Sequence, residues 1–207
     1  MTEKINLSTV QEMFAAALSA VTAIKDDLSA LDAATGDGDH GTAICQAMSA
    51  INNSAQQGTQ LKQALNDMGF AAMMESCGST STLIGALLLG MSDGVENDEL
   101  TPAEVSTMFS AGLANVQQQT KADIGDKTMM DALIPAVTAL QKNQSSGLKP
   151  MFQKAAEAAA DGSASTKDMI AKFGRARNLG DRVIGHLDAG ASSMASIFHA
   201  FSKSISE

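Results

Sequence analysis

Residues 10–31 read VQEMFAAALSAVTAIKDDLSAL. Their apolar side chains fall at Val10, Met13, Phe14, Ala17, Leu18, Val21, Ile24, Leu28 and Leu31, the three-and-four spacing of a helix with one buried face. Similar faces recur at 44–51, 61–74, 83–91, 105–116, 130–140, 151–160 and 194–205, so the chain reads as about eight helices. Polar breaks at 56–59, 92–102 and 141–147 separate them, and loops this short make successive helices antiparallel neighbours. Strand-type alternation is hard to find. Pro135 stands inside an otherwise helical pattern and predicts a kink there. No long linker or repeat is visible, and residues 1–207 read as a single all-α domain.

Composition narrows the function classes. The net charge of −9 and the pI near 4.7 argue against nucleic-acid and anionic-membrane partners. The chain has no Trp and no Tyr, which removes the usual platforms for stacking single strands. Cys45 and Cys77 are too few for a disulfide scaffold and read as reduced thiols. The apolar run at 83–91 is far shorter than the ~20 residues that cross a bilayer. The first residues lack the basic-then-apolar pattern of a secretory signal, so a cytoplasmic location is expected.

Three stretches break the apolar pattern just before a helix: 31–42, 76–82 and 185–193, all rich in Gly, Ser, Thr or Asp. Helix N-termini carry unpaired N–H groups and a partial positive charge, and glycine admits a ligand close to the backbone. Three such ends suit a multiply charged phosphate ligand if they converge, although caps and turns use the same residues. The first stretch adds Asp32, Asp37 and Asp39, followed by His40. Carboxylates so close together repel unless a cation neutralises them, and hard oxygen ligands select Mg²⁺ or Ca²⁺. The order does not fit an EF-hand, and a solvated acidic turn is the alternative. Gly125-Asp126-Lys127-Thr128 looks like the tail of a P-loop but lacks its first glycine and is interrupted by Asp. His186 and His199 have no metal-ligand spacing to the cysteines, so zinc is not expected.

These residues carry a resemblance to a family. Leu31-Asp32 with Gly36-Asp37-Gly38-Asp39-His40-Gly41, the 78–81 loop, Gly125 to Asp131, and Gly174-Arg175-Ala176 continuing to 185–191 resemble the nucleotide-binding L subunit of dihydroxyacetone kinase. The resemblance implies a closed barrel of eight antiparallel helices with ADP or ATP held at one end through two Mg²⁺. It implies Asp32, Asp37 and Asp39 as metal ligands. It sets the nucleotide against His40, Gly41, Thr42 and Ala43, against Gly78, Ser79 and Thr80, and against Met129, Arg175, Asp188, Ala189 and Gly190. Arg175 would meet phosphate and Met129 the base. It further implies a substrate-binding kinase subunit as partner, holding the ketone on a histidine, and a phosphohistidine carrier or ATP as phosphate donor. No catalytic group beyond the metal site is then expected on this chain. Three positions depart from the family's usual pattern: Ala43 replaces an Asn, Cys77-Gly78-Ser79-Thr80-Ser81 lacks two glycines, and Ala189 replaces a Pro. A regulatory nucleotide-binding module and a helical interaction protein with a structural Ca²⁺ site are the competing expectations.

Overall fold

A computed structural model describes residues 4–75 and 78–205. Nine α-helices are described: α1 (Leu7–Ala23), α2 (Lys25–Thr35), α3 (His40–Ala55), α4 (Leu61–Met74), α5 (Gly78–Asp93), α6 (Pro102–Gln119), α7 (Met130–Asn143), α8 (Leu148–Ser165) and α9 (Ala189–Ser204). A two-residue strand, β1 (Ile5–Asn6), pairs antiparallel with β2 (Glu99–Leu100).

The apolar pattern of residues 10–31 is two helices rather than one. α1 starts where the Asn6 side chain accepts the Thr9 N–H, and it buries Val10, Met13, Phe14, Ala17 and Val21. At Ile24 the backbone leaves the helical region, and α2 departs at 61° with Asp26 and Asp27 in its first turn. The periodicity survives because both helices bury one face, but carboxylates favour a fresh N-terminus at that point. α2 therefore folds over the end of the barrel and delivers Asp32 there.

The other eight helices close a ring. Adjacent packing runs α1–α3–α4–α5–α6–α7–α8–α9 and back to α1, with α2 lying on α3 and α9. The core fills the interior: Phe109 packs its ring against Phe152, Phe198 and Phe201, and Phe14 meets Phe201 edge-on. Each such ring buried is worth roughly 1.5–3 kcal/mol relative to exposure. α6 enters the ring through a Thr101–Glu104 capping box with Pro102 at the first helical position.

Helix α7 runs through Pro135, where the sequence predicts a kink. Proline leaves the carbonyl four residues back, that of Asp131, without its helical donor. Gly162 of α8 packs on that oxygen so closely that an added Cβ would lie 1.9 Å from it. Proline and glycine together set the α7–α8 contact. Among the described residues, no single helix is long and apolar enough to cross a membrane.

Candidate functional site

Alternation around the ring brings α3, α5, α7 and α9 to the same end with their N-termini. Residues of all four first turns, His40, Ser79 and Thr80, Met130, and Ala189 and Gly190, line one cavity of about 370 Å³. The three ends expected from sequence do converge, and α7 supplies a fourth. Four helix N-termini facing one cavity set the positive ends of their dipoles there and favour a polyanion.

Asp32, Asp37 and Asp39 stand on one side of this mouth, each with a carboxylate oxygen within 4.8 Å of the others. Asp32, in the last turns of α2, accepts the N–H groups of Asp39 (2.9 Å) and His40 (3.3 Å) and so starts α3. Asp37 pairs across the mouth with Arg175, Oδ2 to Nη2 at 2.9 Å, and Arg175 is 70% exposed. Three hard oxygen donors this close, partly open to solvent, fit a Mg²⁺ that keeps waters and shares its shell with phosphate.

His40 ties three helix starts together. Ser193 Oγ donates to the Gly190 carbonyl, so it accepts from His40 Nε2 at 3.0 Å, and His40 Nδ1 then accepts from Thr80 at 3.4 Å. Burial lowers the pKa of His40, against the opposing pull of Asp32 and Asp39, and the bond pattern is that of a neutral ring. Asp188 caps α9 by accepting the Ala191 N–H at 2.7 Å. Burial pushes its pKa up to about 6, opposed by that bond and by Lys127.

The opposite side of the mouth is the loop from Thr120 to Met129. Asp131 is fully buried and accepts the N–H groups of Gly125 (2.6 Å) and Thr128 (2.7 Å). Asp126 accepts from Asp123 N–H (2.8 Å) and pairs with Lys172 (2.6 Å), which holds its pKa down. Lys127 has a left-handed backbone, φ 59°, and a buried ammonium that donates to the carbonyls of Thr166 and His186. Burial lowers its pKa while Asp188, Asp131 and Asp168 raise it. These ties bring residues 166–186 over the mouth as a cap, which turns at Gly174 and Gly180, both at positive φ with nothing within 4 Å of an added Cβ.

Most of the expected site residues share this cavity: Asp32, Asp37, Asp39, His40, Ser79, Thr80, Met129, Arg175, Asp188, Ala189 and Gly190 line it. Gly41, Thr42, Ala43 and Gly78 are not on its wall. Gly41 instead lets α3 sit on α2, where an added Cβ would lie 2.0 Å from the Lys25 carbonyl, and Ala43 faces the core. Gly78 opens α5 at φ 65° and accepts the Ser81 and Thr82 hydroxyls. Cys77 lies outside the described residues, while His199 and His186 are exposed. Sequence reading set aside Lys127 and Thr128 and passed over Leu83, Ile84 and Phe173, all of which line the cavity. The Thr128-x-x-Asp131 spacing, a capping-box pattern, was the available signal.

Fold and site together define a helical ring with four helix N-termini and a carboxylate cluster at one mouth. The chain belongs to the DAK2 domain family, whose profile matches residues 34–203. It is 34% identical over 178 residues to the ADP-binding subunit DhaL of PEP-dependent dihydroxyacetone kinase 1 from Listeria innocua, covering 85% of each chain. The corresponding Escherichia coli subunit is 33% identical, over 81% of this chain and 82% of that one. L-erythrulose kinase of Pectobacterium atrosepticum is 35% identical over 91% of this chain but only 34% of its own length. The crystal structure of dihydroxyacetone kinase from C. freundii in complex with AMP-PNP and Mg²⁺ matches 99% of this chain with a TM-score of 0.74 at 24% identity. This chain spans about a third of that kinase, 35% of its length, and the likeness establishes the all-α fold.

Proposed function

We propose that this chain is the nucleotide-binding subunit of a small-ketose kinase of the dihydroxyacetone kinase type. It holds ADP or ATP with two Mg²⁺ so that the terminal phosphoryl faces a ketose on a substrate-binding partner subunit. The observation that carries this reading is the joint presence, on one cavity, of four helix N-termini and the Asp32–Asp37–Asp39 cluster. Mg²⁺, when bound, neutralises the charge that builds on the transferring phosphoryl. Asp32, Asp37 and Asp39 would hold the metal. The N–H groups of the first turns would take phosphate oxygens, and Arg175 would leave Asp37 for a charge-assisted bond to phosphate. Met129, with Leu83, Ile84 and Phe173, offers an apolar wall for the base. His40 orients the α5 and α9 starts and exchanges no proton with substrate. Positioning and charge neutralisation are thus the whole of the chain's contribution.

Among the described residues, the two cavity-lining groups that could hold a ketone are engaged elsewhere, Lys127 by the Thr166 and His186 carbonyls and His40 between Thr80 and Ser193, while His186 and His199 are exposed. The acceptor must therefore come from the partner. A phosphohistidine carrier that recharges bound ADP is the donor we favour over ATP exchange. The test combines calorimetry with ADP, with and without Mg²⁺, and turnover with dihydroxyacetone, with and without a substrate-binding subunit. ADP binding that needs Mg²⁺, and turnover that needs the partner, are expected. Mg²⁺-dependent ADP binding with no turnover in any combination would make the chain a regulatory nucleotide module. Robust turnover by the chain alone would overturn the division of labour.

A further inference from the structure

The 166–186 cap carries Arg175 to the cavity yet has almost no core of its own. Between Lys167 and Leu187 only Ala171 and Val183 are buried. Two small side chains bury too little apolar surface to fix so long a path, so polar ties must hold it. One tie is on the surface, where Lys172 meets Asp126 through its backbone N–H (3.1 Å) and its exposed ammonium (2.6 Å). The other is buried. The Lys127 ammonium donates to the carbonyls of Thr166 and His186, the first and last residues of the cap. The same two feet are joined by the Gly185 N–H on the Lys167 carbonyl (2.8 Å) and by the Asp188 N–H on the Thr166 hydroxyl (2.9 Å). An ammonium offers three N–H groups in divergent directions, which suits acceptors from two separate segments. The charges of Asp188, Asp131 and Asp168 offset part of the cost of burying it.

We propose that Lys127 is the positioning residue for Arg175: its ammonium clasps both feet of the cap to the start of α7 and so sets the guanidinium at the phosphates of a bound nucleotide. The proposal rests on the kinase reading above. The base of the clasp is rigid, because the next residue, Thr128, gives its N–H to the fully buried Asp131 in the first turn of α7. On the cap side, the tie from Lys172 to Asp126 lies beside Lys127 in the chain and three residues before Arg175. A guanidinium that meets phosphate through its fork needs its backbone held in place, and small displacements there are costly. Lys127 also lines the cavity, but two of its three N–H groups are taken up by carbonyls. It therefore serves the nucleotide through the cap rather than as a ligand.

The test is Lys127→Met in the full chain, which keeps the length of the stem and removes every donor. The chain's three arginines, Arg175, Arg177 and Arg182, all lie in the cap, so an arginine-specific protease reports on the cap alone. Cleavage of the variant should run about tenfold faster than that of wild type. Mg²⁺–ADP affinity should fall about threefold, and turnover at saturating nucleotide with the dihydroxyacetone-binding subunit of the same organism about tenfold to 100-fold. In an Arg175→Ala background, Lys127→Met should cost affinity and turnover little more, because its effect passes through the guanidinium. Lys127→Gln, which keeps a donor for one carbonyl, should shift the same readouts by less, and it replaces Lys127→Met if that variant does not fold. Wild-type cleavage and affinity in whichever variant folds overturn the proposal. Faster cleavage with wild-type affinity and turnover would make Lys127 a structural tie only, and equal losses with and without Arg175 would make it a phosphate ligand; either overturns it. A wild-type chain that binds Mg²⁺–ADP yet gives no turnover with that subunit overturns the kinase reading, and the cleavage and affinity arms then decide the clasp by themselves.

Discussion

The two sides of the mouth use the same residue in opposite ways. On the loop side, Asp126 and Asp131 are buried and their oxygens are taken up by backbone N–H groups and Lys172. On the α2–α3 side, Asp37 and Asp39 are exposed, and with Asp32 their oxygens gather within 4.8 Å. The difference teaches that a carboxylate's role follows from what already occupies its lone pairs. Asp131 is satisfied from within and holds a loop in shape. In the Asp32 cluster the Asp39 and His40 N–H groups on Asp32 and Arg175 on Asp37 offset only part of the mutual repulsion, and a cation would relieve the rest, as the metal-site reading proposed above requires.

The largest effect should come from the satisfied side. Asp131→Asn replaces one acceptor by a donor against two N–H groups in a fully buried place, and should cost about 3 kcal/mol of unfolding free energy in urea titration. Unchanged stability together with lost ADP binding would move Asp131 into the ligand class and break the comparison. Next comes Asp37→Asn, which should weaken Mg²⁺–ADP binding by about tenfold to 100-fold in calorimetry while leaving apo stability unchanged or raised. Unchanged or tighter ADP affinity there would remove Asp37 from the metal site.

Asp188 lies between the two classes: it is capped by one N–H, yet burial lifts it to about 6 from an ordinary 3.8. The folded protein therefore holds this proton more tightly than the unfolded chain. Its contribution to stability is full below about pH 4 and is lost as pH rises through about 6. Asp188→Asn, which keeps a capping oxygen, should gain on wild type by about 1–2 kcal/mol between pH 4 and pH 7 in the apo protein. A constant difference across that range would show that the carboxyl is not held protonated. The smallest effect is expected for Arg175→Lys. The ion pair with Asp37 is exposed and adds little stability, so the melting temperature should hardly move. Loss of the guanidinium fork should weaken ADP binding about threefold. Lower apo stability with intact ADP affinity would make Arg175 a structural residue.

The helices were legible from apolar spacing, because burial of one face is written directly into residues such as Val10, Met13 and Phe14. The bend at Ile24 was not, since both helices keep the same face inward. Asp32, Asp37 and Asp39 were legible because they sit eight residues or fewer apart in the chain. The opposite wall was harder. Lys127 resembles a broken P-loop lysine, and only its long-range bonds to the Thr166 and His186 carbonyls show that it anchors the cap. The bridge from Thr80 through His40 to Ser193 joins residues 153 positions apart at its wider step, which no local pattern records.

The turns of the cap have a consequence that concerns handedness rather than size. At Gly174 and Gly180 there is room for a side chain, yet φ is 64° and 57°, values that disfavour an L residue. An L-alanine at either position should strain the cap by roughly 1 kcal/mol. A D-alanine, introduced by chemical ligation, should escape that backbone strain, because positive φ is its preferred hand, and should stiffen the turn by narrowing the unfolded ensemble. The path of the cap over the mouth is thus specified at Gly174 and Gly180, and again at Gly185 with φ 92°, by places where the chain has no stereocentre and the backbone adopts the hand that a D residue prefers.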